Sequence, residues 1–357
     1  MPRPPTQRLT IRDIAQRAGV SESAVSLALN DRPGVSPATR ERIRRLADQL
    51  GWRPSVAARA LAGEGSATVG LVFARSISPL GVSSFFLQLM VGIQEALSHR
   101  GFGLLFQVVD GPDAECAAYR RMWAEHRVDG VLVVDPRLDD PRFEVLAELG
   151  LPAVVIGALT RSTNETEAES ESDGGRLRVS QVWADDARAM AEIVDHLHEL
   201  GHRRIVHIAG PAELAHTQRR VQSLRHEAER LGLVDARSII TDYSEDEGVA
   251  ATVSVLAERV RPTAIVYDSD VQAVAALGAA AERRLSVPDD LSVVAWDDSV
   301  LCRSTRPRLA ALVRDTVGFG RRAAEELLDL LDGGPAVTTE FDRPHLVPRG
   351  SIGPAPA

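Results

Sequence analysis

Two sets of residues in this chain combine side-chain type and spacing in ways that suit chemistry. Near the amino end, Ser21, Glu22, Ser23, Ser26 and Asn30 lie along one short helical stretch, and Arg40, Arg42, Arg44 and Arg45 follow on another. Glu22 and Ser23, at the exposed start of their stretch, are placed to face base edges, whereas Ser21, Ser26, Asn30 and the arginines suit phosphate oxygens. Much further on, Ser269-Asp270 and Trp296-Asp297-Asp298 each close an apolar run of strand type. A carboxylate at such a strand end accepts paired hydrogen bonds from ligand hydroxyls, although Asp298 reads rather as a structural cap or turn residue.

Other chemistries find little support. No nucleophile constellation stands out. His196, His198, His202, His207, His216 and His226 cluster in sequence but lack the spacing of a metal site; His196 and His198, two apart on a helix, point to different faces. Gly101-Phe-Gly103 lacks the third glycine of a dinucleotide fingerprint and precedes a strand rather than following one. No enzymatic activity, metal or cofactor is expected.

Short helices must hold the first set. Thr10 suits an N-cap, with Ile11, Ile14, Ala15 and Ala18 as an apolar stripe up to Gly19. Ser21 caps a second helix through Ala24, Val25, Ala28 and Leu29, and the turn between is only Ala18-Gly19-Val20-Ser21. Ser36-Pro37 opens a third helix with Ile43, Leu46, Ala47 and Leu50 inside. Two helices joined by a tight glycine turn and packed on a third form a helix-turn-helix, whose second helix enters the DNA major groove. The plainer alternative is a small helical bundle with a solvated charged face.

Composition agrees with a head distinct from a body. The 357 residues carry a net charge of −9, yet residues 1–64 hold 11 Arg against 6 acids and the remainder 30 Arg against 44 acids. A basic head on an acidic body suggests that only the head meets a polyanion. Two distant cysteines, Cys116 and Cys302, exclude a disulfide scaffold and fit a cytoplasmic protein; no stretch is long and apolar enough for a membrane, and no secretory signal is evident. From Thr68 onward short apolar strands alternate with amphipathic helices. Strands are expected at 69–74, 104–109, 131–134, 153–156, 205–209, 239–240, 264–267 and 291–296. This predicts two doubly wound parallel sheets with a ligand cleft at their carboxyl ends.

The run from Leu9 to Asn30, with Val35-Ser-Pro-Ala-Thr-Arg40 and Leu50-Gly-Trp-Arg-Pro54, resembles the DNA-binding head of lactose-repressor (LacI/GalR) family regulators. Ala57-Ala-Arg-Ala-Leu-Ala62 resembles that family's hinge helix. The resemblance implies that two hinge helices of a dimer enter the minor groove together, with Ala58 on the helix and Leu61 wedged into the central base step. It also implies a body like a periplasmic binding protein. The expected division is 1–54 head, 55–66 hinge and linker, and 67–357 effector-binding and dimerisation domain. That domain would divide into one subdomain of about 67–185 plus 313–343 and another of about 186–312 plus 344–357, with crossings near 184–186, 312–314 and 343–344.

Carried over by position, the resemblance implies effector contacts from Ser84, Phe85, Phe86, Asp185, Arg220, Ser269, Asp270 and Asp297, and DNA contacts from Thr10, Ser21, Glu22, Ser23, Ser26, Leu27, Asn30, Arg40, Ala58 and Leu61. Either phenylalanine stacks on a ligand or packs in the core. Leu27 stands where many members carry arginine, so it can only touch methyl groups or pack. Glu22 either accepts from cytosine or repels phosphate. Gly157 replaces a polar residue, leaving one pocket wall emptier, and Asp268 adds an acid to another. The acid-rich run 160–178 is a surface loop or a cation- or partner-binding segment. The expected protein is a homodimeric transcriptional regulator, more a repressor than an activator, that binds a pseudo-palindromic double-stranded DNA operator under control of a small-molecule effector such as a sugar. The rival is a solute-binding or enzymatic α/β protein with an incidental helical head.

Overall fold

A computed structural model describes residues 9–29, 31–52, 65–74, 84–159 and 178–356. Asn30, the hinge residues Ala58 and Leu61, and the acidic run 160–177 lie outside the described residues. The chain divides into two compact units, Met1–Ser66 and Ala67–Ala357.

In the first unit, α1 (Ile11–Ala18) opens with a reciprocal cap. The Thr10 backbone N–H donates to the Asp13 carboxylate at 2.7 Å, and Asp13 N–H donates to Thr10 Oγ1 at 3.4 Å. Gly19 ends the helix at φ 65°. The Ser21 hydroxyl accepts from Ala24 N–H at the start of α2 (Glu22–Leu29), and the Ser36 hydroxyl accepts from Thr39 N–H at the start of α3 (Pro37–Gln49). Ile14, Val25, Ala28 and Ile43 are fully buried against Trp52. Each large aliphatic side chain so buried contributes roughly 1.5–3 kcal/mol.

The second unit contains, among the described residues, two six-stranded sheets. The first comprises β1 (Thr68–Phe73), β2 (Gly103–Val108), β3 (Gly130–Val134), β4 (Ala153–Ile156) and β5 (Val179–Trp183), in the order β2-β1-β3-β4-β5. The second comprises β6 (Arg204–Ala209), β7 (Asp235–Ile240), β8 (Ala264–Tyr267), β9 (Ser292–Ala295) and β10 (Ala310–Val313), in the equivalent order β7-β6-β8-β9-β10. Two late strands complete the edges: β11 (Thr338–Glu340) lies parallel to β5, and β12 (His345–Val347) antiparallel to β10. The chain therefore passes between sheets three times: after Trp183, after Val313, and between Glu340 and His345. Strand order reverses at β1/β3 and at β6/β8, the positions where open parallel sheets leave a crevice at their carboxyl ends.

The helices that cover these sheets are α4 (Ser84–His99), α5 (Gly111–Ala124), α6 (Arg142–Leu149), α7 (Asp186–Glu199), α8 (Ala215–Leu231), α9 (Glu245–Leu256), α10 (Asp270–Glu282), α11 (Val300–Ser304) and α12 (Thr316–Leu331). Among the described residues, no helix is long and apolar enough to cross a membrane. The sequence reading left α12, α11 and strands β5, β10, β11 and β12 unassigned. Yet α12 is capped by the Asp315 carboxylate, which accepts from Gly318 N–H at 2.7 Å. It buries Phe319, Ala323, Ala324, Leu327 and Leu330 at helical spacing. It packs backbone to backbone on α4: a Cβ on Gly92 would lie 1.8 Å from the Val317 carbonyl, and one on Gly320 would lie 2.2 Å from that of Leu89.

Candidate functional site

On the first unit, the start of α2 presents Ser21, Glu22 and Ser23 to solvent, with the Glu22 side chain 62% exposed. Ser26 is half-buried. Arg40 is engaged within the head: its guanidinium donates to Asp31 at 2.8 Å and to the Arg32 carbonyl at 2.7 Å. Asp31 also accepts from Arg44, and bonds from Arg44 and Arg40 hold its carboxyl below the usual range. Leu27 is half-buried, with its Cδ1 against the Gly34 turn, so it packs. Thr10 spends its hydroxyl on the α1 cap.

In the second unit a cavity of about 350 Å³ lies at the carboxyl ends of the two sheets. This is within the range of roughly 300–1,000 Å³ typical of small-molecule sites. One wall is apolar: Phe73, Val134, Ile156, Phe85, Phe86 and Phe319. Phe86 sits between Phe73, 4.8 Å away by ring centroids, and Phe106, 5.8 Å away, so it serves core and cavity together. The opposite wall is ionised. Arg220, on α8, stacks over Trp296 at 3.8 Å, reaches Asp268 at 3.0 Å and lies 3.5 Å from Asp186.

Asp268 is fully buried. It accepts from Gly210 N–H at 3.1 Å and from His207 Nε2–H at 2.9 Å, while His207 Nδ1 faces the Ser238 hydroxyl at 3.1 Å. Burial alone would raise the Asp268 carboxyl; the neighbouring Arg220 and His207 overcome that and hold it far below its ordinary range. Burial likewise opposes the Arg220 charge, and Asp268 and Asp186 outweigh it. The acid expected to make the pocket more negative is therefore spent on internal pairing. Arg314 bonds Asp297 at 2.6 Å and lies over the Phe85 ring at 4.1 Å. Asp270 is pushed up by burial, offset only in part by the Ser299 hydroxyl.

Phe85, Phe86, Arg220, Ser269, Asp270 and Asp297 all line this cavity. Two expected residues do not. Asp185 caps α7, accepting from Arg188 N–H at 3.0 Å, and its neighbour Asp186 faces the cavity. Ser84 lines an adjoining pit that shares Phe85, Asp297 and Arg314 with the cavity. Gly157 does not leave an emptier wall: it stands at φ 119° with the Pro136 ring 3.2 Å from where a Cβ would lie, so Pro136 fills that space. Asp298 is tied to Arg349 at 2.7 Å and Arg303 at 2.8 Å, a structural role. Sequence reasoning missed Asp186, His216, Tyr243 and Arg314. Arg314 sat at a predicted crossing, which was the available signal; His216 and Tyr243 meet at 2.8 Å only through the fold. Among the described residues, no group of three or more His, Cys, Asp or Glu could hold a metal ion.

Comparison with known proteins supports both units. The family profile described as bacterial regulatory proteins, lacI family, matches residues 10–55, and that of the periplasmic binding protein-like domain matches 194–352. The transcriptional regulator CelR of Thermobifida fusca is 31% identical over 332 residues, covering 92% of this chain and 93% of that protein. The regulator MalR of Streptomyces coelicolor is 31% identical over 357 residues, covering 97% of each. Among solved structures, a CelR–cellobiose complex aligns with TM-score 0.71 at 29% identity, over 96% of this chain and 100% of that one. The lac repressor dimer bound to operator and the anti-inducer ONPF aligns with TM-score 0.79 at 25% identity, over 97% and 100%.

Proposed function

We propose that this chain, which belongs to the lacI family of bacterial regulatory proteins, is a homodimeric, cytoplasmic repressor whose effector is an uncharged sugar held between the two walls of its cavity. It is a DNA-binding transcriptional regulator, and its operator affinity is modulated by a small molecule. The observation that carries the sugar reading is that, among the described residues lining the cavity, each guanidinium is paired with a carboxylate: Arg220 with Asp268 and Asp186, Arg314 with Asp297. Such pairs present donors and acceptors with no free positive charge, which suits hydroxyls rather than a phosphate or carboxylate. The aromatic wall opposite suits the apolar face of a pyranose ring. The cellobiose bound by a relative is consistent with this class. The rival reading, a solute-binding or catalytic protein with an incidental head, is disfavoured by the lacI-family match over residues 10–55.

The role of Glu22 and Ser23 at base edges, and of Leu61 as a minor-groove wedge, belongs to the same proposal. Selection of bound duplexes from a random pool, repeated with neutral, acidic and phosphorylated sugars, tests it. The expected result is a pseudo-palindromic site whose occupancy changes with a neutral sugar alone. Removal of residues 1–66 should abolish binding, and Leu61→Ala should weaken the selected site while sparing non-specific DNA. An asymmetric single site, or a response confined to sugar phosphates, would overturn the reading.

A further inference from the structure

Arg142 opens α6 outside the cavity and is 1% exposed. Its guanidinium donates to Asp140 at 2.8 and 2.6 Å, to Glu115 at 2.8 Å, and to the carbonyls of Val134 and Asp135 at 2.9 Å each. The Asp140 carboxylate also accepts from Arg137 N–H at 3.1 Å. These bonds brace residues 135–140, the loop that leaves β3, from behind. A buried cation so fully satisfied fixes geometry more than it adds stability.

The free edge of this loop meets the other lobe. The Pro136 carbonyl accepts from Ala215 N–H at 2.8 Å, and Leu138 N–H donates to the Glu213 carbonyl at 3.2 Å. Arg137 and Leu214 thereby pair as a short antiparallel bridge across the cleft. One turn further along α8, Arg219 donates to the Ala158 carbonyl beyond β4 at 3.0 Å. His216 and Arg220 follow on the same helix and line the cavity.

We propose that loop 135–140 is a clasp that holds the cleft closed, so that the effector enters an arrangement of lobes the backbone already favours. Its interlobe donors are two backbone N–H groups and one arginine, and its acceptors are all backbone carbonyls, so closure does not depend on the ligand. The clasp also fixes the first turns of α8, and so positions His216 and Arg220. Effector affinity then includes less of the cost of closing the lobes. This consequence rests on the cleft being the effector site; the clasp itself does not.

The position of Ala215 allows a clean test. It is the first residue of α8, where proline is favoured and no intrahelical hydrogen bond is lost. Leu214 before it is extended, at φ −80° and ψ 131°, the conformation a following proline requires. Ala215→Pro thus deletes one interlobe bond and leaves the helix intact. Hydrogen exchange and small-angle scattering on the full chain, with no sugar added, provide the readouts. The Leu138 amide should exchange slowly in the wild type and about tenfold faster in Ala215→Pro, the shift expected for one lost hydrogen bond. The scattering curve should report a more open body. Leu138 exchanging in the wild type as fast as an unprotected loop amide overturns the clasp whether or not the variant folds. Unchanged exchange and scattering in a folded Ala215→Pro protein overturn it as well. Neither readout uses a ligand, so failure of the sugar reading leaves this test standing.

Discussion

The first five strands of the two lobes of the larger unit share one order, yet the lobes offer the cavity opposite surfaces. The lobe built on β1–β5 supplies mostly aromatic and aliphatic side chains, together with Asp135. The lobe built on β6–β10 supplies Arg220, Asp268, Asp270 and Asp297. Parallel sheets fix where strand ends and helix starts converge, and they leave the residues at those ends free to differ. A cleft with one apolar wall and one paired-charge wall orients a ligand that is itself two-faced, as a sugar ring is. The division of labour has an energetic side. The apolar wall is also core, so its residues contribute to stability with or without a ligand. The charged wall is held by its own partners, so each member depends on the others.

The largest expected effect follows from that dependence. Asp268→Ala leaves Arg220 and His207 without their shared buried acceptor, and the cost should be about 3–5 kcal/mol of stability. A denaturant titration measures it; a loss below about 1 kcal/mol would mean that Asp186 alone sustains the wall. The next effect separates the walls. Asp297→Asn should weaken a neutral sugar effector by about ten- to hundredfold, the range for a bond to a charged group. Phe85→Ala should weaken it by only about threefold to tenfold. Calorimetry with the sugar that shifts operator occupancy tests the ranking, and equal losses would erase the distinction between walls.

The smallest effect is a difference in pH response within the charged wall. The folded Asp268 carboxyl is held below its ordinary 3.8, so its contribution is present above that value and fades as pH falls through the range beneath it. The folded Asp270 carboxyl is raised above 3.8, so the folded state holds its proton longer and loses stability as pH rises past that value. Asp270→Asn should therefore stabilise the protein at neutral pH, with the gain shrinking as pH falls toward the ordinary carboxylate range. Thermal melts across pH 3–7 read this; a gain of the same size at every pH would place its origin elsewhere.

Much of this arrangement was legible in the sequence, for reasons that differ by region. The head could be read closely because caps and turns are local: Thr10, Gly19, Ser21 and Ser36 act within a few residues of themselves. Strand β8 was read to the residue because Ala264–Tyr267 is a short apolar run between turn signals. The edge strands β11 and β12 were not, since three residues half exposed to solvent carry no periodicity. In the site, Arg220 and Asp297 were found by resemblance, but their pairing was invisible. Asp268 lies 48 positions from Arg220, and only the parallel alignment of β6 with β8 brings the two together beside His207. The exchange of Asp185 for Asp186 was a matter of one helical residue. The first caps α7 and the second turns inward, a distinction set by backbone geometry.

The three passages between lobes leave from adjoining places. Phe341 N–H donates to the Trp183 carbonyl at 2.7 Å, and Val313 pairs with His345. Strands bundled in this way act as a leaf spring: they bend together easily but resist being stretched or slid past one another. The crossings thereby constrain how one lobe can move against the other. Each lobe is also assembled from segments distant in sequence. Cutting the chain between the start of β6 and the end of β10 therefore leaves neither fragment with a complete sheet, because the first sheet loses β11 and the second is split.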